Sequence, residues 1–287
     1  MREGSGRVVR GGPPSQSYQG PTEAGNLGWA AVLHWPLMLI HNPRGGYSFL
    51  EGISPYSAGV VAAEGFAIEH VRLARPVAWR IGFERVDAWL AAHGRPRAAL
   101  CAMALRSPRP FSFDGFNQFN RGYVEVLKSW DLLVGGGNPV ARTNVAPEVD
   151  PPGEPSLYSF AYTAPAAGAP LSFIVAGAGE LPEGSLDPRD VVRAGETSRE
   201  ALAAKAGFVL GLMEGRLHGM GATWSDVART DIYTVHDVNA MLREEILPRI
   251  GRAGWHGVTW HYSRPPIVSI EYEMDVRGGT RDSIAAL

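Results

Sequence analysis

The sequence predicts an α/β (α+β) protein in which a two-layer unit occurs twice. Two observations carry that reading. Apolar periodicity runs in the order strand, helix, strand, helix, strand, strand, and the whole order then recurs. Between the runs lies Ala164-Pro165-Ala166-Ala167-Gly168-Ala169-Pro170, a composition suited to a linker. The expected organisation is an arm over 1–26, a first unit over 27–163, a linker over 164–170 and a second unit over 171–287.

The arm is rich in Gly, Pro, Ser and Gln, which suits a segment lacking a core of its own. The apolar run Leu27 to Ile40 is broken by His34 and Pro36. It is too short to span a bilayer and too far in for a secretion signal, so it reads as a buried strand pair. Tyr47–Leu50 and Val60–Val71 read as strands. Arg75–His93 reads as a helix, with Val77, Ile81, Val86, Trp89 and Leu90 at helical spacing and Gly94 and Pro96 as its stop. Ala98–Leu105 is a strand. A second helix starts at Phe113, carries Phe116, Phe119, Tyr123 and Leu127 on one side, and ends before Gly135-Gly136-Gly137. Arg142–Ala146 and Leu157–Thr163 close the first unit as strands.

Beyond the linker, Leu171–Ala176 is a strand and Ser198–His218 a helix, with Leu202, Ala206, Val209, Met213 and Leu217 on its core side. Val227–Val235 is a strand and Val238–Ile250 a helix. Gly257–Trp260 and Ile267–Val276 are the closing strands.

With 45% hydrophobic residues, 20% charged residues and a net charge of -2, the chain has no electrostatic case for nucleic acid or an anionic membrane. Its single cysteine, Cys101, excludes an intrachain disulfide and fits a reducing cytoplasm. Set in an apolar run, Cys101 reads as an inert buried thiol. No CxxC, HExxH or paired-histidine spacing points to a metal.

Arg142 follows the turn Gly137-Asn138-Pro139 at the start of a strand. A planar guanidinium held there suits a carboxylate, although a solvated arginine reads the same way. Glu271 shares one face with Ser269 and Glu273 by period two. It reads as an exposed strand residue.

The second unit resembles the RidA/YjgF family of imine and enamine deaminases. It does so through Phe173-Ile174-Val175-Ala176-Gly177, Gly219-Met220-Gly221-Ala222, Trp224 to Tyr233, Asp237-Val238-Asn239-Ala240 and Val268-Ser269-Ile270-Glu271-Tyr272-Glu273. The first unit resembles it through Ser54-Pro55-Tyr56-Ser57-Ala58-Gly59, Phe119-Asn120-Arg121-Gly122-Tyr123 and Pro139 to Val145. The resemblance implies two tandem chorismate-mutase-like units, each a mixed sheet packed on two helices. It also implies cofactor-free chemistry on a small acidic substrate, in a monomer with internal pseudo-symmetry or in a homo-oligomer such as a trimer.

The family's substrate-binding positions fall on Tyr56, Asn120 and Arg142 in the first unit and on Asn239 in the second, and its water-orienting glutamate falls on Glu271. Gly257 stands where the second arginine would be, and Ser159 or Phe160 where the first unit's glutamate would be. One composite site using Arg142 and Glu271 is therefore expected.

Two-domain members of similar plan include 2-aminomuconate and 2-amino-5-chloromuconate deaminases and, through Phe116 to Gly122, the chorismatases. The deaminases match the chain length better. The implied reaction is hydrolysis of a carboxylate-bearing enamine or imine with release of ammonia. The alternatives are a chorismatase-like hydrolase or a non-catalytic ligand-binding protein. A muconate carries a second carboxylate, for which Arg106, Arg121, His261 and Arg264 are the available cations.

Overall fold

A computed structural model of the chain describes residues 37–286. The expected arm over 1–26 and most of the Leu27–Ile40 run lie outside the described residues. The first half contains β1 (Leu39–Asn42), β2 (Tyr47–Leu50), β3 (Gly59–Ala62), β4 (Phe66–Ala78), α1 (Trp79–Ala92), β5 (Leu100–Arg106), α2 (Phe113–Ser129), β6 (Ala141–Pro147) and β7 (Ser156–Pro165). The second contains β8 (Phe173–Gly179), α3 (Arg199–Gly219), β9 (Arg229–Thr234), α4 (Asn239–Met241), a π turn over Leu242–Ile246, α5 (Leu247–Ile250), β10 (Thr259–Arg264), β11 (Glu273–Gly278) and β12 (Arg281–Ala285). No helix among the described residues is long and apolar enough to cross a membrane.

All of these strands join one mixed sheet in the order β1-β2-β3-β8-β11-β9-β10-β6-β5-β7-β4-β12. Within it β4-β7-β5-β6 and β8-β11-β9-β10 have the same order and the same strand senses. In each, the first strand is antiparallel to the last, the last is antiparallel to the second, and the second is parallel to the third. The two sets meet where the third strands pair, Arg264 opposite Ala146 and Ser263 opposite Pro147. Each set is then extended by the other half of the chain. The early strand β3 pairs with β8, and the late strand β12 runs parallel to β4.

Three local departures from the sequence reading have identifiable causes. The helix expected from Arg75 begins at Trp79, because Pro76 keeps Arg75 extended and Val77 and Ala78 still pair with β7. The helix expected over Val238–Ile250 is broken by the π turn before Pro248, whose missing amide interrupts the i→i−4 ladder. The strand expected from Ile267 begins only at Glu273. Pro265 and Pro266 remove two donors, and Ser269 takes a left-handed φ of 74°.

Ser112 caps α2 by accepting from the Gly115 amide, and Ser198 caps α3 by accepting from Ala201. Helices α1 and α2 bury Phe83, Val86, Leu90, Tyr123 and Leu127 against Met103 and Phe160. Helix α3 buries Val209, Met213 and Leu217 against Val175, Met274 and Val276. The opposite sheet faces curl toward each other around Tyr47, Phe49, Val60, Cys101, Ala141 and Ala176. Burial pushes the Cys101 thiol far above its ordinary range, which removes it as a nucleophile. The curl brings β6 onto β8, where the Gly177 amide donates to Thr143 Oγ1 at 3.0 Å.

Candidate active site

Where β6, β8 and β11 converge, a cavity of about 700 Å³ is bounded by Tyr56, Phe116, Arg142, Glu183, Arg216 and Glu273.

Arg142 enters from β6 with 3% of its surface exposed. Its guanidinium carbon lies 4.8 Å from the Tyr56 ring centroid and 4.6 Å from that of Tyr123, with Phe116 and Phe119 slightly further out. Arg142 Nη2 donates to Asn120 Oδ1 at 2.7 Å, while Nη1 has no protein partner. No carboxylate among the described residues pairs with it. Burial lowers its affinity for the proton, opposed by Tyr123, Tyr56 and Glu273, but a guanidinium stays cationic at neutral pH. The result is a buried cation with one N–H edge unused, which is costly unless an anion arrives.

The approach of Tyr56 to Arg142 follows from the turn before β6. The Val140 amide donates to Asn138 Oδ1, Asn138 Nδ2 donates to the Ser54 carbonyl, and the Ser57 amide donates to the Val140 carbonyl. These bonds fasten the Tyr56 loop to the strand that carries Arg142. Asn144 lies two residues further along the same strand face. It accepts from Ser107 Oγ at 3.0 Å and leaves its own Nδ2 without a partner.

Glu273 lines the same cavity as Arg142. On β11, Glu273, Asp275 and Arg277 alternate with Met274 and Val276, which pack toward α3. Burial pushes the Glu273 carboxyl well above its ordinary value, and the neighbouring Asp275 pushes it further. It therefore keeps its proton over a pH range where an ordinary glutamate has lost it. Room for it comes from Gly177, where a methyl group would overlap Glu273 Oε1 and press on Thr143. Thr143 Oγ1 donates to Asp275 Oδ2 at 2.7 Å, and the Tyr233 hydroxyl donates to the same oxygen at 2.9 Å.

Arg216, from α3, is already matched. It forms a two-pronged pair with Glu183 at 2.6 and 2.9 Å and donates from Nη1 to the Ala176 carbonyl. Burial works against its charge, but Glu183 outweighs it and the guanidinium is held more firmly protonated than usual.

Among the residues singled out from sequence, Arg142, Tyr56 and Asn120 come together here. Glu271 does not. It precedes the β11 ladder, its Oε2 meets His236 Nε2 at 2.9 Å, and its amide donates to the buried Glu180. The late start of β11 is the reason, since the period-two face extends only from Glu273 onward. Asn239 is exposed and bonded to Asp237 at the start of α4, away from the cavity. None of the four cations considered for a second carboxylate borders this cavity. Arg106 and His261 line a separate cavity, Arg121 borders an outer groove, and Arg264 pairs with Glu148.

Sequence reasoning missed Glu273, Arg216 and Asn144. Each had a signal. Arg216 sits beside Leu217 and three residues after Met213, on the apolar stripe of a helix. Asn144 lies one strand repeat from Arg142, and Glu273 shares the parity of Glu271.

The family model of 2-aminomuconate deaminase CnbZ matches residues 39–283. The chain is 42% identical over 252 residues to a 2-amino-5-chloromuconate deaminase of Comamonas testosteroni, an alignment covering 87% of this chain and 99% of the relative. Among solved structures it is similar to a chorismatase, with a TM-score of 0.41 and 13% identity over 77% of each chain. It is also similar to the cyanuric acid hydrolase of A. caulinodans, with a TM-score of 0.34 and 11% identity over 74% of this chain and 66% of that one.

Proposed function

The chain belongs to the 2-aminomuconate deaminase CnbZ family, and from that premise we propose that it hydrolyses a 2-aminomuconate-type enamine to ammonia and the corresponding oxo acid. The observation that carries the proposal is buried Arg142, whose Nη1 has no protein partner, in the lining of one cavity with Glu273.

The charge balance supports an acid as the ligand. With Glu273 protonated, Arg142 and Arg216 stand against the single carboxylate of Glu183, which leaves one uncompensated positive charge. Arg142 Nη1 takes the carboxylate next to the amino-bearing carbon. Phe116, Ile267 and Ile270 flank the diene. Asn144 Nδ2, about 6.6 Å along the strand face, offers a donor to the second carboxylate.

Glu273 performs the proton transfers. Its carboxyl protonates the enamine carbon, which turns the C–N bond into an iminium. The resulting carboxylate takes a proton from water as the water oxygen bonds to the nitrogen-bearing carbon of the iminium, giving a carbinolamine. Glu273 then passes the proton to nitrogen, the C–N bond breaks, and the hydroxyl proton returns to Glu273 as C=O forms. Substrate and water become oxo acid and ammonia, and Glu273 ends as it began. This reading needs no cofactor.

The repeated strand order supports treating the chain as two RidA-like units over 27–163 and 171–287. In this reading one chain suffices for the site, because Arg142 comes from the first unit and Glu273 from the second. Ammonia release from 2-aminomuconate, followed against buffer alone, tests the proposal. The wild type should exceed both buffer and the Glu273→Gln variant by at least about 10²-fold, the low end for a lost acid–base group. Equal rates in all three would refute it.

A further inference from the structure

The curled sheet borders a second cavity, lined by strands of both halves. Thr143 and Asp275 border it, and their hydrogen-bonded bridge to Gly177 and Tyr233 stands between it and the Glu273 carboxyl. Leaving aside Arg142, whose guanidinium belongs to the first cavity, the lining holds Arg72, Arg106, Arg229 and Arg277 against Asp231 and Asp275. Asp282, just outside the lining, sits 3.5 Å from Arg277, so four cations meet three carboxylates and one positive charge is in excess.

Most of these charges are already committed. Asp231 accepts from Arg229, from Arg277 at 3.2 Å and from His261 at 2.7 Å. Burial alone would raise the Asp231 carboxyl, but these partners outweigh it and hold it ionised.

Arg106 is the exception. It is 6% exposed, and its guanidinium carbon lies 4.0 Å from the Tyr158 ring centroid and 5.6 Å from that of Tyr233. Its one hydrogen bond to protein among the described residues runs from Nη1 to the carbonyl of the adjacent Leu105. A guanidinium stacked on an aromatic face keeps its in-plane N–H edge free, which is the edge that grips a carboxylate in two-pronged fashion. Such a cation inside a sheet is costly without an anion.

We infer that this second cavity is a ligand site, which binds a small carboxylate through Arg106 independently of the Arg142 cavity. The positive excess selects an anion over a neutral ligand. Tyr158 and Tyr233 flank the Arg106 guanidinium that receives the carboxylate.

Adipate, a saturated six-carbon dicarboxylate with no amine to lose, is the probe. Calorimetric titration of the Arg142→Met chain should still show one adipate per chain, and adding Arg106→Met should abolish it. Retained binding in the Arg142→Met variant supports the second site whether or not Arg142 holds substrate, so the two readings fail separately. Loss of all binding in Arg142→Met, with an unchanged melting midpoint, would overturn the inference. Crystals of the wild-type chain soaked in adipate answer the question without any variant. Density for a carboxylate against the Arg106 guanidinium supports the site, and an unliganded Arg106 at saturating adipate overturns it.

Discussion

Replacing Arg142 by Met keeps most of the side-chain volume and removes the charge, so it separates a substrate anchor from a structural cation. In the unliganded protein the substitution loses one charge-assisted bond to Asn120, worth about 1.5–3 kcal/mol, and cation–π contact with the surrounding rings, worth up to about 2 kcal/mol. Against this it removes an unpaired buried charge whose desolvation costs several kcal/mol. The two sides nearly cancel, so the melting midpoint should move by no more than the equivalent of about 2 kcal/mol. Catalysis has no such compensation. Truncating one partner of a buried, hydrogen-bonded charge pair costs about 2–5 kcal/mol, and the middle of that range is a fall in kcat/KM of about 10²–10³-fold. The carboxylate is held equally before and during the reaction, so most of the loss should appear in KM. Initial rates of ammonia release over a range of 2-aminomuconate concentrations, with melts in the same buffer, read both quantities. A variant within about threefold of wild-type kcat/KM would refute the reasoning, and so would a variant that fails through unfolding alone.

Glu273→Gln should abolish turnover and also change how stability depends on pH. The folded-state Glu273 carboxyl is raised above its unfolded value, so its contribution is fully present below the unfolded value and is lost as pH rises through the folded one. Wild-type melts should therefore lose more stability than the variant on going alkaline, by about 1.4 kcal/mol for each pH unit of displacement. Glu271→Gln touches only the His236 contact and should stay within about threefold of wild-type activity, at a stability cost of about 1 kcal/mol or less. If this variant is inactive and Glu273→Gln is active, the assignment of the two glutamates is reversed. Gly177→Ala crowds Glu273 and Thr143 and should cost about 1–3 kcal/mol in denaturant unfolding together with a fall in kcat; a neutral result would remove the crowding argument. Lys205→Met strands Glu180, which is fully buried and also receives the Glu271 and Tyr272 amides, so chemical unfolding should show a loss of about 3–5 kcal/mol.

Much of the architecture was readable from local signals. The strand and helix order, the Ser198 start of α3 and the core role of Met213 follow from periodicity and capping, which depend on neighbours in sequence. The approach of Tyr56 and Asn120 to Arg142 was implied by motif order in one half of the chain. Two placements differ from the expectation. Glu271 was matched to the family's glutamate by motif, and Pro265, Pro266 and the left-handed Ser269 start β11 only at Glu273, which leaves Glu271 outside the cavity lining. Asn239 has a polar role at a helix start, which motif matching cannot distinguish from ligand binding.

The sequence by itself determined most of the strands and helices, that their order repeats, and that one arginine stands at the start of a strand. Tertiary structure alone decided that β6 pairs with β10 and curls onto β8, that β3 and β12 cross to the opposite half, and that Arg142 and Glu273 line one cavity. The physical reason is range. Periodicity and turn chemistry are written in adjacent residues, whereas the meeting of β6 with β11 depends on pairing between strands more than a hundred residues apart, for which no local residue pattern codes.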